Sequence, residues 1–143
     1  HSIWEFRELF EYGGSQYARP DLGLAGGITH VKKIAGIAES YHSALVTHNS
    51  SSAGSYPVLT AAASNINASI PNFITQEYPM SDGDPANAMF NSTWKRDGGF
   101  IPVPENPGIG VSVDTAALKA QTYEPRELQN LPMREGGSVG YSV

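Results

Sequence analysis

The chain has 143 residues, enough for one domain or a piece of a larger one. Apolar residues make up 40 % and charged ones 16 %, with fifteen glycines and ten prolines, so the chain is loop-rich but globular. A net charge of −5 argues against nucleic acid as a partner, and zero cysteines exclude disulfides, thiol catalysis and Cys-based zinc sites.

The first dozen residues read as a helix, with Ile3, Phe6, Leu9 and Phe10 on one face and Gly13-Gly14 as the stop. Gln16 to Pro20 reads as a strand leading to Asp21. Gly23, Gly26 and Gly27 form a turn, and Thr29 is a candidate N-cap for the next helix. Val31, Ile34, Ala35, Ala38 and Tyr41 make that helix's apolar stripe. Ser43 to Thr47 is a short apolar run consistent with a buried strand, ending at His48-Asn49. Ser50 to Tyr56 is a polar loop. Val58 to Ala68 reads as an Ala-rich helix and Phe73 to Tyr78 as a third strand. Beyond it the chain is Pro- and Gly-rich. A hairpin is expected within Phe100 to Val113, then a short helix from Thr115 to Gln121 and a coil tail.

Alternating helices and strands over the first 78 residues imply parallel βα units. The alternation alone does not separate a barrel from an open doubly wound sheet. No apolar run approaches a membrane span. The opening at His1, with neither an initiating Met nor a signal peptide, reads as the start of a segment cut from a longer protein.

Asp21, His48 and Glu77 stand at the C-terminal ends of the three expected strands, the edge that hosts active sites in parallel α/β folds. A carboxylate beside an imidazole fixes its tautomer and raises its basicity, so the three would form a proton-transfer set. They would equally serve as solvated strand ends or helix caps, and pattern alone leaves both readings open. The glycines at 23, 26 and 27 match neither phosphate-binding pattern and read as a turn. His30 and His42 read as surface residues. No paired-histidine spacing points to a metal site. Asp82-Gly83-Asp84 lacks the downstream Glu of a calcium loop. Three matches to the glycosylation sequon, at Asn49, Asn67 and Asn91, read as chance.

Several segments, in order, resemble one family. They are Arg19-Pro20-Asp21-Leu22-Gly23-Leu24-Ala25-Gly26-Gly27-Ile28-Thr29, Lys32-Lys33-Ile34-Ala35, Thr47-His48-Asn49, Ile70-Pro71-Asn72-Phe73-Ile74-Thr75-Gln76-Glu77-Tyr78 and Pro107-Gly108-Ile109-Gly110-Val111. Together they are similar to the mandelate racemase and muconate lactonizing enzyme group of the enolase superfamily. The His-Asn step and the Pro-Asn-Phe…Gln-Glu-Tyr strand look most like its galactonate-dehydratase-type acid-sugar dehydratases.

The resemblance implies an α/β fold: strands six to eight of a (β/α) TIM-type barrel within residues 1–78. Residues 79–143 would then be a loop-rich C-terminal segment packing on the barrel and the cap domain. It implies His48 and Asp21 as catalytic dyad, and Glu77 with Asn49 as substrate-binding residues. It further implies Mg²⁺ with its ligands on the upstream part of the barrel, a small sugar acid as partner, a cytoplasmic setting and a homo-oligomer when full length. The expected reaction is α-proton abstraction from a sugar carboxylate, then loss of the β-hydroxyl to give a 3-deoxy-2-keto acid. Racemases and epimerases of the same superfamily, and a non-catalytic truncated fragment, are the alternatives. The loop 50–56 departs from the family's short turn, being longer and more polar.

Overall fold

The computed structural model describes residues 1–49, 56–78, 88–92 and 96–122. The first helix, α1, spans Ile3–Glu11. Ser2 caps it by a reciprocal box with Glu5: the Glu5 amide donates to Ser2 Oγ, and the Ser2 amide donates to the Glu5 carboxylate. Hydrogen bonds from the chain's amino terminus and from Ser2 hold the Glu5 carboxyl below its ordinary range. Phe10 is buried, Ile3 and Phe6 pack against the core, and Leu9 lies half in water.

Strand β1 is only Tyr17–Ala18. Pro20 lacks an N–H and cannot donate to a ladder, but its carbonyl accepts from the His48 amide at 3.0 Å. Pairing therefore continues as an isolated parallel bridge between Asp21 and His48. Helix α2 spans Gly27–Ser40, three residues earlier at its start than a Thr29 cap would allow. The cap is Gly26 at φ +90°, and Gly27 follows at +78°. Two consecutive left-handed residues suit glycine alone, so the chain enters the helix there and Thr29 falls inside its first turn. Val31, Ile34, Ala35 and Ala38 are buried as the apolar stripe predicts. Tyr41 ends the helix exposed, stacked on Phe10 at 5.9 Å between ring centres.

Past the helix, the His42 amide bonds back to Glu39 and the Ser43 amide to Ala38, a Schellman closure that puts His42 at φ +55°. This is a glycine position occupied by a histidine. His42→Gly is expected to stabilise the chain by about 0.5–1 kcal/mol, read as a raised denaturation midpoint. An unchanged or lowered midpoint would contradict the strain.

Strand β2, Ala44–Thr47, lies between β1 and β3, Phe73–Gln76, and is parallel to both. Helix α3, Tyr56–Asn67, connects β2 to β3. Its Ala61, Ala62 and Ala63 are buried, and such small residues let helix and sheet approach closely. Asn72, just before β3, donates to the carbonyls of Ala35 and Ser43 at 3.0 Å each, tying α2 and the β2 entry to the third strand.

The core lies where the sheet meets its helices: Leu45, Ala18, Val31, Ile34, Ala35, Ala38, Ala62, Ala63 and Ile66. Period-2 alternation sends Leu45, Thr47 and Asn49 into it and leaves Ala44, Val46 and His48 on the opposite, open face.

The hairpin expected within Phe100 to Val113 is not what forms. Strand β5, Val111–Val113, pairs antiparallel with β4, Phe90–Ser92, about twenty residues earlier. Pro102, Pro104 and Pro107 remove ladder donors from the intervening chain. A tight turn, bridged between Asp97 and Phe100, forms near its start. Helix α4, Thr115–Lys119, is capped by Asp114, which accepts from the amides of Ala116 and Ala117, and stops two residues short of the expected Gln121. No helix among the described residues is long and apolar enough to cross a membrane. The Asp82–Asp84 segment, most of the 50–56 loop and the tail from 123 lie outside the described residues.

Candidate active site

Three parallel strands ending at one edge bring together residues far apart in sequence. The bridge between Asp21 and His48 sets them opposite one another. The Glu77 amide donates to the Thr47 carbonyl at 3.1 Å, which holds the end of β3 beside that of β2. Because side chains alternate, Arg19 and Asp21, two residues apart, share the open face with His48 and Glu77.

Asp21 and His48 form a direct pair, Nδ1 to Oδ2 at 2.7 Å. The Asp21 side chain is 10 % exposed and that of His48 32 %. The other Asp21 oxygen, Oδ1, accepts from the amides of Gly23 at 2.7 Å and Leu24 at 3.1 Å. A Cβ at position 23 would stand 3.1 Å from that oxygen, so glycine permits the close approach. With both oxygens engaged, the carboxylate is fixed in place. An ionised carboxylate only accepts, which makes Nδ1 the donor of this pair and turns Nε2 to the open face.

Glu77 stands on the other side of the imidazole. Its Oε2 is 3.6 Å from His48 Nε2, beyond hydrogen-bonding distance, and accepts from the Asn49 amide at 3.0 Å. Its Oε1 is ion-paired with Arg19. Asn49 offers the edge its backbone: its side chain is buried, with Nδ2 donating to Thr60 Oγ1 on α3 at 2.5 Å and Oδ1 without a partner among the described residues. Deeper on the helix side, Asn67 Nδ2 donates to Thr47 Oγ1 and to Gln76 Oε1, both at 2.9 Å. The carboxamide of Gln76 also donates to the Thr60 carbonyl at 3.2 Å. This network ties α3 to the ends of β2 and β3. Burial of the Asn49 and Asn67 side chains agrees with reading their sequons as chance.

Arg19 was not among the residues expected at this edge. The available signal is its spacing, two positions before Asp21 on an extended segment, which puts both on one face. A cavity of about 520 Å³ lies elsewhere, along β3 between Phe73, Tyr78, Arg96 and Phe100, and includes none of Asp21, His48 or Glu77.

The edge by itself does not suit a Mg²⁺ ion. Among the described residues no three His, Asp or Glu side chains gather closely enough to hold a metal. Asp21 and Glu77 already direct their oxygens at protein donors, whereas Mg²⁺ requires octahedral oxygen coordination.

The family described as Enolase C-terminal domain-like matches residues 1–117. The chain belongs to that family. Its fold is the α/β fold of the C-terminal domain in the TIM-barrel enolase superfamily, of which it covers a part. Members of this superfamily generally use Mg²⁺. Among curated relatives, the D-mannonate dehydratase of Xanthomonas oryzae pv. oryzicola is 33 % identical over 136 residues, covering 95 % of this chain and 32 % of its own length. A D-galactonate dehydratase family member of Oceanicola granulosus is 35 % identical over 125 residues, covering 87 % and 30 %. The enolase C-terminal domain-like chain thus spans about a third of the length of these relatives. Among solved structures, a mandelate racemase/muconate lactonizing enzyme from Sulfitobacter sp. superposes with a TM-score of 0.75 at 33 % identity, over 96 % of this chain and 33 % of that one.

Proposed function

We propose that the chain is the C-terminal catalytic segment of an acid-sugar dehydratase, acting within a protein of its relatives' length. The observation that carries this reading is the Asp21–His48 pair at 2.7 Å, with Nε2 facing outward at the C-terminal edge of the sheet. A proton α to a carboxylate is weakly acidic, and its removal needs a positioned base that works near neutral pH. In this reading His48 Nε2 takes that proton, and Asp21 orients the ring and stabilises the imidazolium that results. Glu77, 3.6 Å from Nε2, faces the substrate's carboxylate end. Loss of the β-hydroxyl, which leaves with a proton as water, gives an enol that tautomerises to a 3-deoxy-2-keto acid. Asn49 contributes its amide to Glu77. We place the ligands of the family's Mg²⁺ outside this chain, and with the reading come a small sugar acid as substrate, a cytoplasmic setting and a homo-oligomer.

The relatives' names point to D-mannonate and D-galactonate as first substrates to try. Full-length protein incubated with each in D₂O and followed by proton NMR is expected to generate the C3–H signal of a 3-deoxy-2-keto acid that carries one solvent deuteron at C3. A structural likeness to a mandelate racemase/muconate lactonizing enzyme keeps epimerisation as the second reading. Appearance of the C2 epimer without loss of water would select that reading and overturn the first.

A further inference from the structure

Arg19 has so far only a partner. The sheet order β1-β2-β3 places it on one outer strand and Glu77 at the end of the other, so their ion pair spans the strand that ends in His48. We infer that Arg19 is a positioning residue: by holding Glu77 across the mouth of the sheet, it keeps Nε2 of His48 free to accept a proton. The inference rests on the reading of His48 as the base.

A second carboxylate changes what an imidazole can do. His48 already gives its Nδ1–H to Asp21. If Glu77 Oε2 closed from 3.6 Å to hydrogen-bonding distance of Nε2, both nitrogens would face carboxylates. A ring so placed is held as imidazolium, with both nitrogens donating and no lone pair left for a substrate proton. Two donors oppose that closure. One is the Asn49 amide on Oε2, fixed by the backbone. The other is the Arg19 guanidinium on Oε1, the cation in direct contact with this carboxylate among the described residues. Among the described residues, the charged groups that touch His48 itself are Asp21 and Glu77. A guanidinium is a rigid, planar, permanently charged fork, and it restrains a carboxylate in direction as well as in charge.

The test reads the ring directly and requires no turnover. In ¹⁵N-labelled full chain at pH 7, the His48 nitrogens are assigned by their loss in His48→Gln. Nε2 is expected at the position of a bare ring nitrogen. Arg19→Gln, and equally Arg19→Met, should move it to the N–H position in a majority of molecules, with the amide spectrum showing an intact fold. Arg19→Lys, which keeps the charge, should leave most molecules bare. Adding Glu77→Gln to Arg19→Gln should return Nε2 to the bare position. An unmoved Nε2 in both charge-removing variants overturns the inference. So does a double variant that stays in the N–H form, since Arg19 would then act on the ring without Glu77. Failure of the dehydratase reading would appear instead in the turnover assays and leave these resonances unchanged.

Discussion

In the full-length protein, His48→Ala is expected to lower α-proton exchange by roughly 10²–10⁴-fold while leaving substrate affinity within a few-fold of the parent. The size follows from what a positioned general base contributes, about 3–5 kcal/mol of barrier at these ratios. Within the described edge nothing is placed to substitute: Asp21 is fixed by two amides and the ring itself, and Glu77 is held by Arg19 and the Asn49 amide. Alanine removes the imidazole but not the backbone bond from residue 48 to the Pro20 carbonyl, so the edge should keep its register. Deuterium wash-in at the α carbon reads the first quantity and calorimetric titration with the sugar acid reads the second. Asp21→Asn should move exchange in the same direction by less, because the ring stays and only its tautomer and orientation are released. Parent-rate exchange in His48→Ala would remove His48 as the base, and with it the main support for the dehydratase reading.

Much of this site is legible in the sequence because it depends on strand ends. A short apolar run that stops at His48, and a strand-like run that stops near Glu77, already place both residues at one edge once the strands are parallel. The stripe of Val31, Ile34, Ala35 and Ala38 is legible for the same kind of reason: a local period reports a local face. What is not legible depends on partners distant in sequence or on backbone angles. Arg19 and Glu77 are 58 residues apart, and no spacing rule links them. The partner of β5 lies twenty residues away, beyond the reach of a turn signal, so a nearby hairpin was the local expectation. Thr29 carries the chemistry of a cap, but Gly26 carries the φ that starts the helix, and side-chain chemistry does not report φ. Asn49 sits beside His48 in sequence, yet alternation turns its side chain to the opposite face, toward Thr60. Neighbouring residues on a strand share an edge without sharing a surface.

The same alternation leads to the largest stability effect expected of a single substitution in this sheet. Leu45 lies in the central strand on the helix-facing side and has no solvent exposure. It sits in the cluster formed by Ile34, Ala35, Ala38, Ala62 and Ile66, with helices α2 and α3 over it and strands on both flanks. Leu45→Ala removes three buried carbons and leaves a void bordered by backbone-fixed elements that cannot all move inward. The expected cost is roughly 2–5 kcal/mol, the upper part applying where the walls do not collapse. Ile74, of similar size, is 57 % exposed on the edge strand β3, and Ile74→Ala in this chain should cost well under half as much. Denaturant unfolding of the two variants beside the parent gives the comparison. Equal losses would mean that the central strand is no better packed than the edge. The Asp21–His48 pair, which depends on the register of β2 against β1, would then need a different support.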